Sequence, residues 1–286
     1  MNSVCIKTNN NKILEYLLND FYKINLDDTF LTQKKFKFYE NIIIHSNSPS
    51  SIFYNKVSNI LTRGIINLFE KDIIKRLLDL NYFYFDTFEK NQILFNTMLL
   101  LKDGSETNKR YDLINNSVYA GLLNNHNFYI NGFINFRLSD YVKFLSEQVD
   151  IAVNKFLIDK EYTEFVSLLK LYINSESSKS NIEHLNLIYN KKNSIIVDNN
   201  KNIISTNNIT KSKFISDISF SSNDFALNTL LNLLPKKITI HLIDNNQDEF
   251  INTLKIIFED RIILCNDCDI CNFYRNHCDN YNYLNH

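Results

Sequence analysis

The chain has 286 residues, 44% of them hydrophobic and 22% charged, with a formal net charge of -1. This is the composition of a folded globular protein of one large or two ordinary domains, and it excludes wholesale disorder. The 31 basic residues are scattered through the sequence, which excludes the one-sided positive surface that phosphate backbones require, so no nucleic-acid partner is expected.

Only 4 Gly and 2 Pro occur where average usage gives roughly 20 and 14, and Asn takes over at turns. The amino terminus, MNSVCIKTNNNK, has no apolar stretch behind a charged lead, and no run approaches the roughly 18 apolar residues that span a bilayer. A cytoplasmic protein without a membrane span is expected. Four of the five cysteines cluster near the carboxyl end, whereas a disulfide framework distributes its bridges through a short secreted chain.

Residues 3–7 and 35–45 read as strands around a helix at 11–22, a small βαβ-like opening within 1–48. From 49 to 174 the pattern is helical. Ser48 to Ser51 supply caps around Pro49, and Ile52, Val57, Ile60, Leu61, Ile65 and Leu68 follow at helical spacing; further helices are read at 72–84, 87–101 and 110–124. Leu138, Val142, Leu145, Val149, Ala152, Val153 and Phe156 recur at spacings of three and four. Tyr162, Phe165, Val166, Leu169, Tyr172 and Ile173 do so after the polar joint Asp159-Lys160-Glu161, giving a pair of amphipathic helices.

The polar segment NSESSKSN at 174–181 is the strongest boundary signal, and strand periodicity follows it. Strands are read at 184–189, 194–198, 202–205, 215–220, 237–243 and 261–265, with helices at 221–234 and 248–258 between the later ones. The predicted class is α+β: a small N-terminal α/β piece at 1–48, a helical region at 49–174, and a C-terminal α/β domain with a mixed sheet at 182–265. A Cys-rich tail follows at 266–286.

That tail holds the one constellation with ligand spacing. Cys265, Cys268, Cys271 and Cys278 form C-x2-C-x2-C-x6-C directly after the last predicted strand. Thiolates three residues apart on a tight turn converge on one tetrahedral ion, and Cys278, or His277 beside it, would complete the shell. Zinc is the favoured occupant. An iron–sulfur cluster ranks lower because the ferredoxin run closes with x3-C-P and this one does not. Unmetallated thiols are the third reading. His241, in ITIHLI, is read as a core histidine, Asp244 as a turn or cap residue, and Cys5 as a small buried residue. Glu147, Asp150, Asp159, Glu161 and Glu164 are read as the solvated faces of helices, and Arg137 as a helix-start contact. No phosphate-cradling or hydrolase motif occurs in the sequence, and no catalytic residue is assigned.

The wording FINFRLSDY at 133–141, then VDIAV at 149–153 and DKEYTEFVSLLK at 159–170, resembles the YtxC family of proteins linked to endospore formation; NLLPKKITIH and RIILCNDCDIC add to the likeness. The resemblance implies a sporulation-associated role with an unidentified protein partner, as a non-enzymatic interaction or regulatory component. The alternative is an enzyme or redox protein using the cysteine-bound zinc or iron–sulfur centre.

Overall fold

Alternation of apolar and polar residues in SVCIKT and ENIIIHS places Val4, Ile6, Ile42 and Ile44 on one face, and all four are fully buried. The computed structural model describes residues 2–23, 29–176, 182–190, 193–204 and 221–277. It divides into two units, Met1–Asp159 and Lys160–His286, and the class is α+β.

The first unit opens with β1 (Asn2–Thr8), α1 (Asn11–Tyr22), β2 (Thr29–Lys35) and β3 (Glu40–Ser46). With β4 (Asn127–Tyr129) these strands form a sheet in the order β2-β3-β1-β4. The strand read at 35–45 proves to straddle a hairpin turn: the Phe36 N–H donates to the Tyr39 carbonyl at 2.9 Å, and β2 and β3 run antiparallel. Because β3 is also antiparallel to β1, the opening is not a βαβ crossover; the parallel neighbour of β1 is β4.

The helices are α2 (Ser50–Asn81), α3 (Thr87–Leu100), α4 (Gly104–Asn124), α5 (Ile130–Arg137) and α6 (Ser139–Glu176). The runs read as separate helices at 51–68 and 72–84 are one element, α2. Glu70-Lys71-Asp72 contains neither Gly nor Pro, so helix propensity carries the backbone through the polar interruption. Glu70 turns inward and is 1% exposed. It accepts hydrogen bonds from Arg110 Nη1 at 2.8 Å and Tyr141 Oη at 2.6 Å, linking α2, α4 and α6. Burial pushes its carboxyl up in pKa, and these two partners oppose the shift.

Likewise the pair of helices read around Asp159-Lys160-Glu161 is the single α6, for the same reason. Its early residues Tyr141, Phe144, Leu145, Val149, Ala152, Val153 and Phe156 join the core of the first unit. Beyond Lys160, Val166 and Ile173 join the core of the second, whereas Tyr162, Phe165 and Tyr172 are exposed.

The second unit continues with β5 (His184–Asn190), β6 (Asn193–Val197), α7 (Ser222–Leu233), β7 (Lys237–Leu242), α8 (Glu249–Phe258), β8 (Ile262–Cys265) and α9 (Asp269–His277). Its sheet has the order β6-β5-β7-β8. Strands β5, β7 and β8 are parallel, and β6 is antiparallel. Ser221 and Asp224 form a capping box on α7, and Asp248 caps α8. Leu185, Leu187, Ile238, Ile240 and Leu242 pack with Leu230 of α7 and Leu254 and Ile257 of α8. Each such fully buried aliphatic side chain contributes about 1.5–3 kcal/mol. Of the strand read at 202–205, Ile203 makes one isolated bridge to Val197; the strand read at 215–220 lies outside the described residues. Helix α9 occupies much of the span read as tail.

Candidate metal centre

With Ile238, Ile240 and Leu242 facing the core just described, alternation sends Thr239 and His241 to the opposite face of β7. Ile262 and Leu264 fix β8 in the same way, sending Cys265 to the face of His241. Parallel pairing then sets His241 directly beside Cys265. The chain turns through Asn266 and Asp267, and α9 begins with the Asn272 N–H donating to the Cys268 carbonyl at 2.9 Å. Cys268 therefore stands at the helix entry, and Cys271 lies three residues on, within the first turn.

The ligating atoms of His241, Cys265, Cys268 and Cys271 all lie within 4.8 Å of one another. His241 Nδ1 is 3.3 Å from Cys268 Sγ and 3.4 Å from Cys271 Sγ. Cys271 Sγ is 3.8 Å from Cys265 Sγ and 3.7 Å from Cys268 Sγ. A tetrahedral zinc with sulfur at about 2.3 Å and nitrogen at about 2.0–2.1 Å separates its sulfurs by about 3.8 Å, and nitrogen from sulfur by about 3.5 Å. These four spacings match those edges, and the four residues could hold a metal ion.

The surroundings orient the donors. His241 Nε2 lies 3.1 Å from Asn186 Oδ1 on β5; with that oxygen as acceptor, Nε2 carries the proton and Nδ1 turns its lone pair toward the three sulfurs, the outer partner that metal-binding histidines usually have. His241 is 3% exposed, and burial, followed by the charge of His184, lowers its pKa. Burial raises the Cys265 thiol. It raises Cys271 to about 12, reinforced by the thiols of Cys268 and Cys265. Burial also opposes ionisation of Cys268, but the Cys271 N–H and the neighbouring thiols outweigh it and lower that thiol. Cys271 packs among Ile188, Val197 and Ile243. Arg275 clasps α9 to the sheet: its Nε donates to the Ile243 carbonyl at 3.1 Å and its Nη2 to the Asn266 carbonyl at 2.5 Å.

Of the sequence-predicted ligands, the fold brings Cys265, Cys268 and Cys271 together. Cys278 lies outside the described residues, as does the side chain of His277. The fourth donor among the described residues is His241, read from sequence as a core histidine. It is buried, as that reading holds, but its ring faces three thiols. Asn186 and Arg275 carried no sequence signal, because His241, which Asn186 meets, and the Ile243 carbonyl, which ties Arg275 to the sheet, are 55 and 32 residues away in the chain. Asp244 is exposed in the turn after β7, and Cys5 is half-buried. Glu147, Asp150, Asp159, Glu161, Glu164 and Arg137 are exposed.

The model of the YtxC-like family matches residues 55–263. That span includes His241 and ends just before Cys265. No curated protein and no solved structure matches the chain.

Proposed function

The chain belongs to the YtxC-like family, and from that premise we propose a sporulation-associated cytoplasmic protein that acts as a non-enzymatic interaction or regulatory component. Its C-terminal unit would be fastened by a structural zinc ion on His241, Cys265, Cys268 and Cys271. The convergence of one imidazole and three thiols within 4.8 Å carries the zinc reading. Four protein donors fill a tetrahedral shell and leave no open position for a substrate or a reactive water, which is the property of a structural site. The His/Cys3 donor set suits zinc better than a four-cysteine iron–sulfur cluster. Among the described residues no helix is long and apolar enough to cross a membrane, which agrees with action inside the cell. The sporulation role and its protein partner rest on family membership alone.

Elemental analysis of the full chain, purified without chelator, tests the centre: about one zinc per chain is expected, and Cys268→Ser should lose it. A brown iron chromophore would replace the structural reading with a redox one, and a folded, metal-free chain would reduce the group to ordinary thiols. Deletion in a spore-forming host tests the role. Reduced or delayed spore yield with normal vegetative growth is expected; normal spore yield would overturn it.

A further inference from the structure

The hairpin between β2 and β3 turns through residues that turns seldom use. Where the turns at Asn199-Asn200 and Asn245-Asn246 are built from Asn, this one reads Phe36-Lys37-Phe38-Tyr39, an aromatic make-up it shares with the turn at Tyr82–Phe85. Turns favour Asn, Asp, Gly, Pro and Ser because those residues satisfy or relax the local backbone. Aromatic residues supply neither benefit, so local turn chemistry does not account for them. Large apolar side chains are also usually drawn inward, yet Phe38 is 76% exposed and Phe36 46% exposed. A cavity of about 170 Å³ between the tip and the start of α1 is lined by Thr8–Asn11, Leu14 and Lys35–Glu40.

Charge follows the same strip. Lys34, Lys35 and Lys37 interleave with the aromatic residues, and Glu40 is the one acidic residue from 29 to 46. Glu40 sits 3.6 Å from Lys35. Among the described residues Lys34 and Lys37 have no carboxylate partner, and Lys37 Nζ lies over the Phe38 ring at 5.4 Å. A hairpin tip with two exposed phenyl groups and three lysines beside them in the chain fits one kind of surface: apolar a few ångströms down and anionic at the top. A bilayer containing acidic phospholipid has that layering, with phenyl groups entering the interfacial region and lysines reaching headgroup phosphates. Single-stranded nucleic acid also combines charge with stacking, but it needs free ring faces along a groove. Here Phe36 is already stacked on Tyr39, with centroids 5.2 Å apart.

We propose that the β2–β3 hairpin is a peripheral membrane-docking element that inserts Phe36 and Phe38 into anionic bilayers, with Lys34, Lys35 and Lys37 at the headgroups. It is independent of the metal centre.

The chain contains no Trp, so Phe38→Trp makes the tip its own reporter at a highly exposed position where folding is undisturbed. With vesicles of phosphatidylglycerol and phosphatidylcholine, the Trp emission should shift to shorter wavelength and be quenched by brominated acyl chains; with phosphatidylcholine alone it should not move. In co-sedimentation of the otherwise unaltered chain, Phe38→Ser should abolish binding, and exchanging Lys34, Lys35 and Lys37 for Gln should weaken it by about fivefold per lysine. An emission that ignores anionic vesicles overturns the proposal. So does a shift that depends on protein concentration without vesicles, which would mark a contact between copies, and so does a shift on adding single-stranded nucleic acid only.

Discussion

His241 and Cys265 are register partners on the parallel strands β7 and β8, and both project from the sheet face opposite the α7–α8 core. Adjacent parallel strands lie about 4.8 Å apart. The pairing therefore supplies half of the donor set on a rigid support, and only Cys268 and Cys271 are brought in by the turn and α9. An ion there would tie the last strand to the last helix while losing little chain entropy at the strand positions.

Asn186 should affect metal affinity without being a ligand. Through its contact with His241 Nε2 it fixes which nitrogen faces the sulfurs. Replacing it with Ala is expected to weaken zinc binding by about 10- to 100-fold, read by competition with a chromophoric chelator, while the thiol count stays unchanged. Undiminished affinity would show that the ring is held by packing alone.

Removing the metal should loosen the carboxyl end of the second sheet and little else. Hydrogen exchange of the chelator-treated chain is expected to accelerate in α9 and at the end of β8 near Cys265. Amides of α2 and the first half of α6, which belong to the other core, should keep their protection. The same local pattern is expected for Cys268→Ser; uniform acceleration would mean that the ion supports the whole fold.

Leu145 and Phe165 lie in the same helix but differ in burial, 0% against 50% exposed. Leu145→Ala is expected to cost about 2–5 kcal/mol through lost packing and the cavity left behind. Phe165→Ala should cost well under half of that, and Glu164→Ala close to nothing, in urea unfolding. Equal losses for Leu145 and Phe165 would place Phe165 in a contact that its exposure does not show.

The buried carboxylate of Glu70 is compensated by Arg110 and Tyr141. Glu70→Ala strands Arg110, itself largely buried, and is expected to cost about 3–5 kcal/mol. Replacing Glu70 and Arg110 together with apolar residues of similar volume should recover much of the loss, as a double-mutant cycle in urea would show. No recovery would mean that the pair is also needed for helix register.

Stability should fall on the alkaline side. Burial, then the hydrogen bond to Asp150, pushes Tyr82 up to about 12; burial and Asp248 do the same for Tyr189. Unfolded tyrosine ionises near pH 10. Above that pH the unfolded chain binds fewer protons than the folded one, so the stabilisation is complete below pH 10 and is lost as pH rises toward about 12. Urea midpoints measured from pH 9 to 12 should drop, and drop less steeply when Tyr82 and Tyr189 are both Phe. Identical slopes would assign the decline to other groups.

Local periodicity was enough to identify most elements of this protein. Alternation in KITIHL and the apolar run RIILC gave β7 and β8 within a residue or two, Ser221 and Asp248 marked where α7 and α8 begin, and the family wording around FINFRLSDY named the family. The cysteine spacing exposed three of the four residues that could hold a metal ion, because residues three apart meet through local geometry alone.

Contacts between distant residues had to wait for the fold. Nothing in ITIHLI distinguishes a packed histidine from one facing thiols, since alternation tells which face His241 takes but not which strand lies beside it. The burial of Glu70 was settled by Arg110 and Tyr141, and which residues of α6 are buried on either side of Asp159 by the cores they meet. Similarly, the turn at Phe36–Tyr39 became visible only when β2 and β3 paired. Sequence patterns report periodicity and caps over one or two turns of chain; strand register, buried ion pairs and hairpins without turn residues depend on partners tens of residues away, which only the tertiary structure selects.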